Sequence, residues 1–258
     1  MRSGTAILVA AIGTLLAGCA EVAPPAGPAG PLATPSRYKV VLVAGDPSIR
    51  AFDNATARLG AMLQSRAGVA SGNIQRLSAR DDVVAEGATL ATAPAVLEAI
   101  RRMAPGSGEG CLVFATSHGS PRVGLDLPRL ASQPNLAPAA LDAALAHGCG
   151  EAPTVVVLSG CFSGEYLRGP LLRSNRVVIS AARADRPSFG CGAGNVYTFF
   201  DECLLASMAA TPAGGPWQAA MAATRECVTG RERGRFQPSE PQSWFGGAVV
   251  DLPMPWRS

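Results

Sequence analysis

Aromatic side chains are scarce in this chain, 5% of its residues, and its net charge of +3 is spread along the sequence. The densest basic stretch, Arg231-Glu232-Arg233-Gly234-Arg235, is interrupted by a glutamate. Nucleic-acid surfaces combine clustered cations with stacking rings, so that class of partner is excluded. The stretch reads as a solvated loop. Histidine occurs only twice, at His118 and His147, and no cysteine pair has C-x-x-C spacing. These absences remove the usual ligand sets for zinc, and no metal or cofactor is expected. Beyond the N-terminal stretch no apolar run is long enough to cross a bilayer. No internal repeat is visible, which excludes stacked-repeat architectures.

The N-terminus has its own pattern. Met1-Arg2 supplies a short positive region, and Ala6 to Leu16 is apolar but too short to span as a mature helix. Leu16-Ala17-Gly18-Cys19 resembles a bacterial lipobox. That resemblance implies cleavage before Cys19 and lipidation of the new N-terminal cysteine. Ala20 stands where an aspartate would resemble an inner-membrane retention signal. The expected location is therefore the bacterial cell envelope, lipid-anchored at the periplasmic face of the outer membrane. Residues 19–36 are rich in Pro, Ala and Gly and read as a flexible tether. The chain thus divides into a signal peptide (1–18), a lipidated tether (19–36) and one domain (37–258). About 220 residues suffice for a single well-buried domain.

Within that domain apolar strand patterns alternate with helical ones. Strands are expected at Tyr38 to Ala44, Asn73 to Leu77, Cys111 to Ala115, Thr154 to Leu158 and Arg176 to Ala181. Helices are expected from Asp53 or Asn54 to Arg66, capped by either of those two residues. Further helices are expected from Thr92 to Met103, Pro138 to His147, Val196 to Met208 and Trp217 to Val228. The last thirty or so residues read as irregular. This order implies an α/β fold with a mostly parallel sheet and helices on both faces. Of the seven cysteines, Cys19 is assigned to lipid. Cys111 opens an apolar strand and reads as a small core residue. Cys149, Cys191, Cys203 and Cys227 could form up to two bridges, with the pairing open.

Two of the strands end in reactive residues. Cys111 to Ala115 runs through Thr116-Ser117 into His118-Gly119, and Thr154 to Leu158 runs through Ser159-Gly160 into Cys161. Parallel neighbours carry their carboxyl ends on one sheet edge, where ligands bind. A general base would then stand beside a thiol, as a cysteine hydrolase requires. His147 precedes Gly148 at a helix end and reads as solvated. An α/β-hydrolase is excluded: its nucleophile sits midway in G-x-S-x-G and its histidine comes last.

These blocks resemble the caspase-like clan of cysteine peptidases and, within it, the C13 (legumain-like) family. The segments that carry the likeness are V-L-V-A-G at Val41 to Gly45, T-S-H-G-S at Thr116 to Ser120 and L-S-G-C-F-S-G at Leu158 to Gly164. S-A-A-R-A-D-R-P-S-F-G-C at Ser180 to Cys191 extends it. The resemblance implies a caspase-like three-layer sandwich and peptide-bond cleavage through a Cys161 thioester, with His118 as general base and acid. It assigns the oxyanion site to the amides of Gly119 and Cys161, and a place in the primary specificity pocket to Ser188. The partner it implies is a peptide or protein substrate. The chain departs from plant and animal legumains at Ser159, where they carry a glutamate, and at Asn195, where they carry an acid. Asparagine specificity is therefore not carried over. Asp53 and Asp185 are candidate pocket acids that would favour a basic side chain. Two alternatives stay open at this stage: a transamidase using the same dyad, and a non-catalytic caspase-like binding protein. Oligomeric state is open as well.

Overall fold

The computed structural model describes Met1 and residues 30–192 and 194–257. The signal peptide, Cys19 and most of the expected tether lie outside the described residues. Chain order runs β1 (Arg37–Ala44), α1 (Arg50–Ala67), β2 (Ile74–Ser78), α2 (Asp81–Ala85), β3 (Thr89–Leu90), α3 (Ala93–Arg101) and β4 (Glu109–Thr116). A small antiparallel sheet follows, built of β5 (Gly119–Ser120), β6 (Gly124–Asp126) and β7 (Asn135–Leu136). Then come α4 (Pro138–Gly148), β8 (Thr154–Ser159), β9 (Arg176–Ser180), α5 (Phe199–Ala210), α6 (Trp217–Glu232) and β10 (Gln242–Phe245).

The main sheet has seven strands in the order β10-β9-β8-β4-β1-β2-β3, parallel throughout except where β10 joins β9. Its central strands are buried on both faces, which is why they read as unbroken apolar runs. Leu42, Leu112, Phe114, Val155, Val157 and Ile179 point to one side and pack against Leu59 and Leu63 of α1, Phe200 and Leu204 of α5, and Trp217 of α6. Val41, Val43, Val113, Val156 and Val178 point to the other and meet Val96 and Ile100 of α3 and Leu141 and Leu145 of α4. The result is an α/β three-layer sandwich.

Several expectations need correction. Helix α1 starts at Arg50, one turn before the expected cap. The Asp46 carboxylate accepts from both the N–H and the hydroxyl of Ser48, at 2.7 and 2.6 Å, and this turn launches the helix early. Helix α5 starts at Phe199, three residues late, because Thr198 is its N-cap and accepts from the Asp201 N–H at 3.0 Å. The C-terminal stretch is not wholly irregular: Gln242–Phe245 extends the sheet as an antiparallel edge. A four-residue strand between Pro241 and Gly246 is too short to declare itself by alternation. The expected tether is docked at its end. The Leu32 N–H donates to Ala248 O at 2.8 Å, and the leucine packs against the core. Cys111 is not a lone core residue but is bonded to Cys149, and Cys203 is bonded to Cys227. The start of β4 lies beside the end of α4, which brings the first pair of Cα atoms to 6.2 Å. Cys161 and Cys191 remain as free thiols.

Candidate active site

The β4–β8 register aligns Thr116 with Ser159, so the residues that follow leave the sheet side by side. The Ser117 N–H donates to Ser159 O at 3.0 Å and locks the two tips together. Two glycines permit an approach no other residue would. A Cβ on Gly119 would lie 2.1 Å from Cys161 O, and one on Gly160 would lie 2.7 Å from Ser117 O. The His118 and Cys161 segments therefore interleave, and both residues line one narrow cleft. The broader hollows of the surface, lined by segments such as Pro241–Trp244 and Pro253–Arg257, contain neither thiol.

Each reactive side chain has defined neighbours. Phe52 of α1 presents its ring edgewise to His118, with centroids 5.5 Å apart. The Cys191 thiol lines the same cleft, and its interaction with the imidazole raises the pKa of His118 against the opposing effect of burial. The same contact lowers the pKa of Cys191. Cys161 has a different environment. Its thiol donates to Ser188 O at 3.4 Å, and the Ser188 N–H donates back to the sulfur at 3.3 Å. Burial pushes the Cys161 thiol up, and the Ser188 N–H only partly offsets it. Cys161 therefore rests as a protonated thiol. Phe162, next in the chain, has φ +57° and donates its N–H to Arg186 O at 2.8 Å. This left-handed turn, unusual for a bulky residue, swings the chain away just past the sulfur.

The expected specificity residues divide. Ser159 and Ser188 line the cleft with Thr198 and Phe189. Asp53 does not. It is buried at 3% exposure and faces Arg76 at 3.6 Å and Arg80 at 4.0 Å, because the early start of α1 turns it toward β2. Asp185 is exposed and forked onto Arg183 at 2.8 and 2.6 Å, outside the cleft. Asn195 is exposed on the loop before α5; Thr198 is the residue of that segment that turns inward.

Sequence reasoning missed one residue of the cleft, Cys191, and one buried acid bonded to the β4 tip, Asp201. Cys191 forms no bridge but lines the cleft as a free thiol, and its place beyond Ser188 in the same loop is the signal that points there. Asp201 is the buried acid. It sits in the first turn of α5, fully buried, and Thr116 Oγ1 donates to its Oδ2 at 2.8 Å. The signal was an acid in register with Leu204, Leu205 and Met208 on the apolar stripe of a helix. Desolvation raises its pKa to about 6.

Residues 101–220 match the model of the Peptidase C13 family, a span that holds β4, β8, both free thiols and α5. Among solved structures the chain is similar to caspase-1 from Spodoptera frugiperda, with a TM-score of 0.59 and 11% identity over 82% of this chain and 87% of that one. At that identity the likeness is one of fold, and the α/β sandwich is caspase-like. No curated protein matches by sequence.

Proposed function

From the C13 match over residues 101–220, we propose that this protein is a cysteine peptidase with Cys161 as nucleophile and His118 as general base and acid. The observation that carries the reading is the interleaving of the two strand tips, which makes His118 and Cys161 walls of one cleft. Because Cys161 rests as a thiol, His118 must take its proton as sulfur attacks the scissile carbonyl carbon. The carbonyl π electrons move onto oxygen, and the amides of Gly119 and Cys161 are the proposed donors to that oxyanion. The intermediate collapses to a thioester, the C–N bond breaks, and the imidazolium returns its proton to the leaving amine. Water, deprotonated by His118, then releases the acid and restores the thiol. Ser188 holds the sulfur in place, and Ser159 lines the pocket beside it. The proposed anchor at Cys19 would hold the domain at the envelope.

Replacing Cys161 or His118 by alanine should reduce cleavage of a casein or peptide-library substrate on the order of 10,000-fold while the folded state survives. Retained cleavage in either variant overturns the proposal. The His118–Cys191 contact favours one competing assignment, in which Cys191 is the attacking thiol. If Cys161 is the nucleophile, Cys191→Ala keeps thiol-dependent cleavage. It also lowers the pKa of His118, moving the acid limb of the pH profile to lower pH. Loss of cleavage in Cys191→Ala together with retention in Cys161→Ala would transfer the role.

A further inference from the structure

Two disulfides pair all the cysteines among the described residues except Cys161 and Cys191, which are free thiols. Chain position gives these two no reason to meet: Cys161 follows β8, and Cys191 lies on the loop before α5. Yet both line the same cleft as His118, and its open volume is about 10 Å³, the space of about one water molecule. The groups that line it are therefore close together, and a negative charge on Cys191 acts on Cys161, opposing its ionisation. The Cys191 loop is also tied to the Cys161 segment. The Cys161 sulfur bonds to the N–H and the carbonyl of Ser188 at 3.3 and 3.4 Å, and the Phe162 N–H donates to Arg186 O at 2.8 Å. Cys191 itself stands between Gly190, at φ +94°, and Gly192, where a Cβ would meet nothing within 4 Å. Glycine on both sides lets the backbone turn the Cys191 side chain at little steric cost. Both thiols are partly open to solvent, so a small oxidant reaches them.

We propose that Cys191 is a peroxide-sensitive thiol that forms a reversible disulfide with Cys161 and so switches the enzyme off; the loss of activity rests on the cysteine-peptidase reading, the bond does not. The co-reactant is a hydroperoxide. His118 favours the thiolate of Cys191, the form that attacks peroxide. The Cys191 sulfur attacks one peroxide oxygen, the O–O bond breaks and hydroxide leaves. Sulfur gives up two electrons, the peroxide takes them, and Cys191 becomes a sulfenic acid. Cys161, resting as a thiol, then attacks that sulfur. Its proton passes by way of His118 to the departing hydroxyl, and water leaves as the S–S bond forms. The nucleophile is blocked in this state but spared: thiols reverse a disulfide by exchange, whereas a sulfinic acid on Cys161 would be permanent.

The test treats the whole protein with a small excess of hydrogen peroxide, removes the oxidant and maps the peptides without reduction. Digestion that cuts between Cys149 and Cys161, and between Cys191 and Cys203, should find Cys161 joined to Cys191 and both structural disulfides intact. Cleavage of a casein substrate should fall on the order of 100-fold. It should return with dithiothreitol at a dose that leaves Cys203–Cys227 bonded. Cys191→Ala, scored against its own untreated rate, should lose activity to peroxide without regaining it, because Cys161 then oxidises past the sulfenic acid. Activity lost with Cys191 still free, Cys161 bonded to another molecule, or equal recovery in the variant overturns the inference and leaves the peptidase reading standing. So do two thiols that survive peroxide unchanged. A protein that cleaves nothing before treatment overturns the peptidase reading and the switch with it. The map of the unmodified protein is decisive even if Cys191→Ala does not fold.

Discussion

Asp201 illustrates how one residue can weigh against the fold that contains it. It is fully buried, its charge is met only by hydroxyls, and its pKa rises from the ordinary 3.8 to about 6. The folded state therefore binds the proton more tightly than the unfolded chain. The stability this contributes is fully present below the ordinary carboxylate range and is lost as pH rises through about 6. Denaturant unfolding from pH 3 to pH 8 should show that loss, about 3 kcal/mol for a shift of this size. Asp201→Asn should remove it and be the more stable protein at pH 8. A variant less stable than the parent at pH 8 would mean that the Thr116 hydrogen bond outweighs the buried charge. His118 and Cys191 show the opposite case, each stabilising the charged form of the other.

At the scale of elements, the site depends on how closely two strand tips can approach. Gly119 and Gly160 contribute by having no side chain. Gly119→Ala would force a methyl to 2.1 Å from Cys161 O, so one tip must move. We expect a loss of roughly 1–3 kcal/mol in urea unfolding. We also expect a fall in kcat on the order of 100-fold, as for a displacement near 1 Å. Gly72→Ala is the control, since a Cβ there meets nothing within 4 Å. Equal effects in the two variants would show that the tips are not tightly packed. Much of this scale was legible in the sequence. The apolar runs located β4 and β8, and a breaker after each located the turns that carry His118 and Cys161. The start of α1 differs from the sequence expectation because an Asx turn at Asp46-Pro47-Ser48 precedes the candidate caps Asp53 and Asn54. That shift by one turn is what removed Asp53 from the cleft.

For the whole molecule the two disulfides matter most. Cys111–Cys149 ties the first residues of β4 to the end of α4 on one face, and Cys203–Cys227 ties α5 to α6 on the other. Cys111, Cys149 and Cys203 are 0–4% exposed, whereas Cys227, like the free thiols Cys161 and Cys191, is partly open to solvent. Mild reductant should therefore leave Cys111–Cys149 intact and reach Cys203–Cys227 first. Converting Cys203 and Cys227 to serine should cost about 3 kcal/mol, the entropy of a loop of this size, and lower the Tm. No change in Tm would place the stability of the α5–α6 layer in packing alone. Because α5 also carries Asp201 and Thr198, the same double variant tests whether that layer holds the pocket wall in place.

The order of strands and helices, the mostly parallel sheet and the two reactive strand ends are encoded locally. Each rests on periodicity or on a breaker within a few residues of it, and so the sequence alone determined them. The identity of the pocket residues, the partner of each cysteine and the neighbour of His118 depend on segments that are distant in the chain. Thr116 and Asp201 are 85 positions apart and share a hydrogen bond. Cys161 and Ser188 are 27 apart and share two. Such contacts are fixed by the register of β4 against β8 and by the angle at which α5 docks under their tips. Only the tertiary structure decided them, because burial and charge pairing belong to the packed state and have no period along the chain.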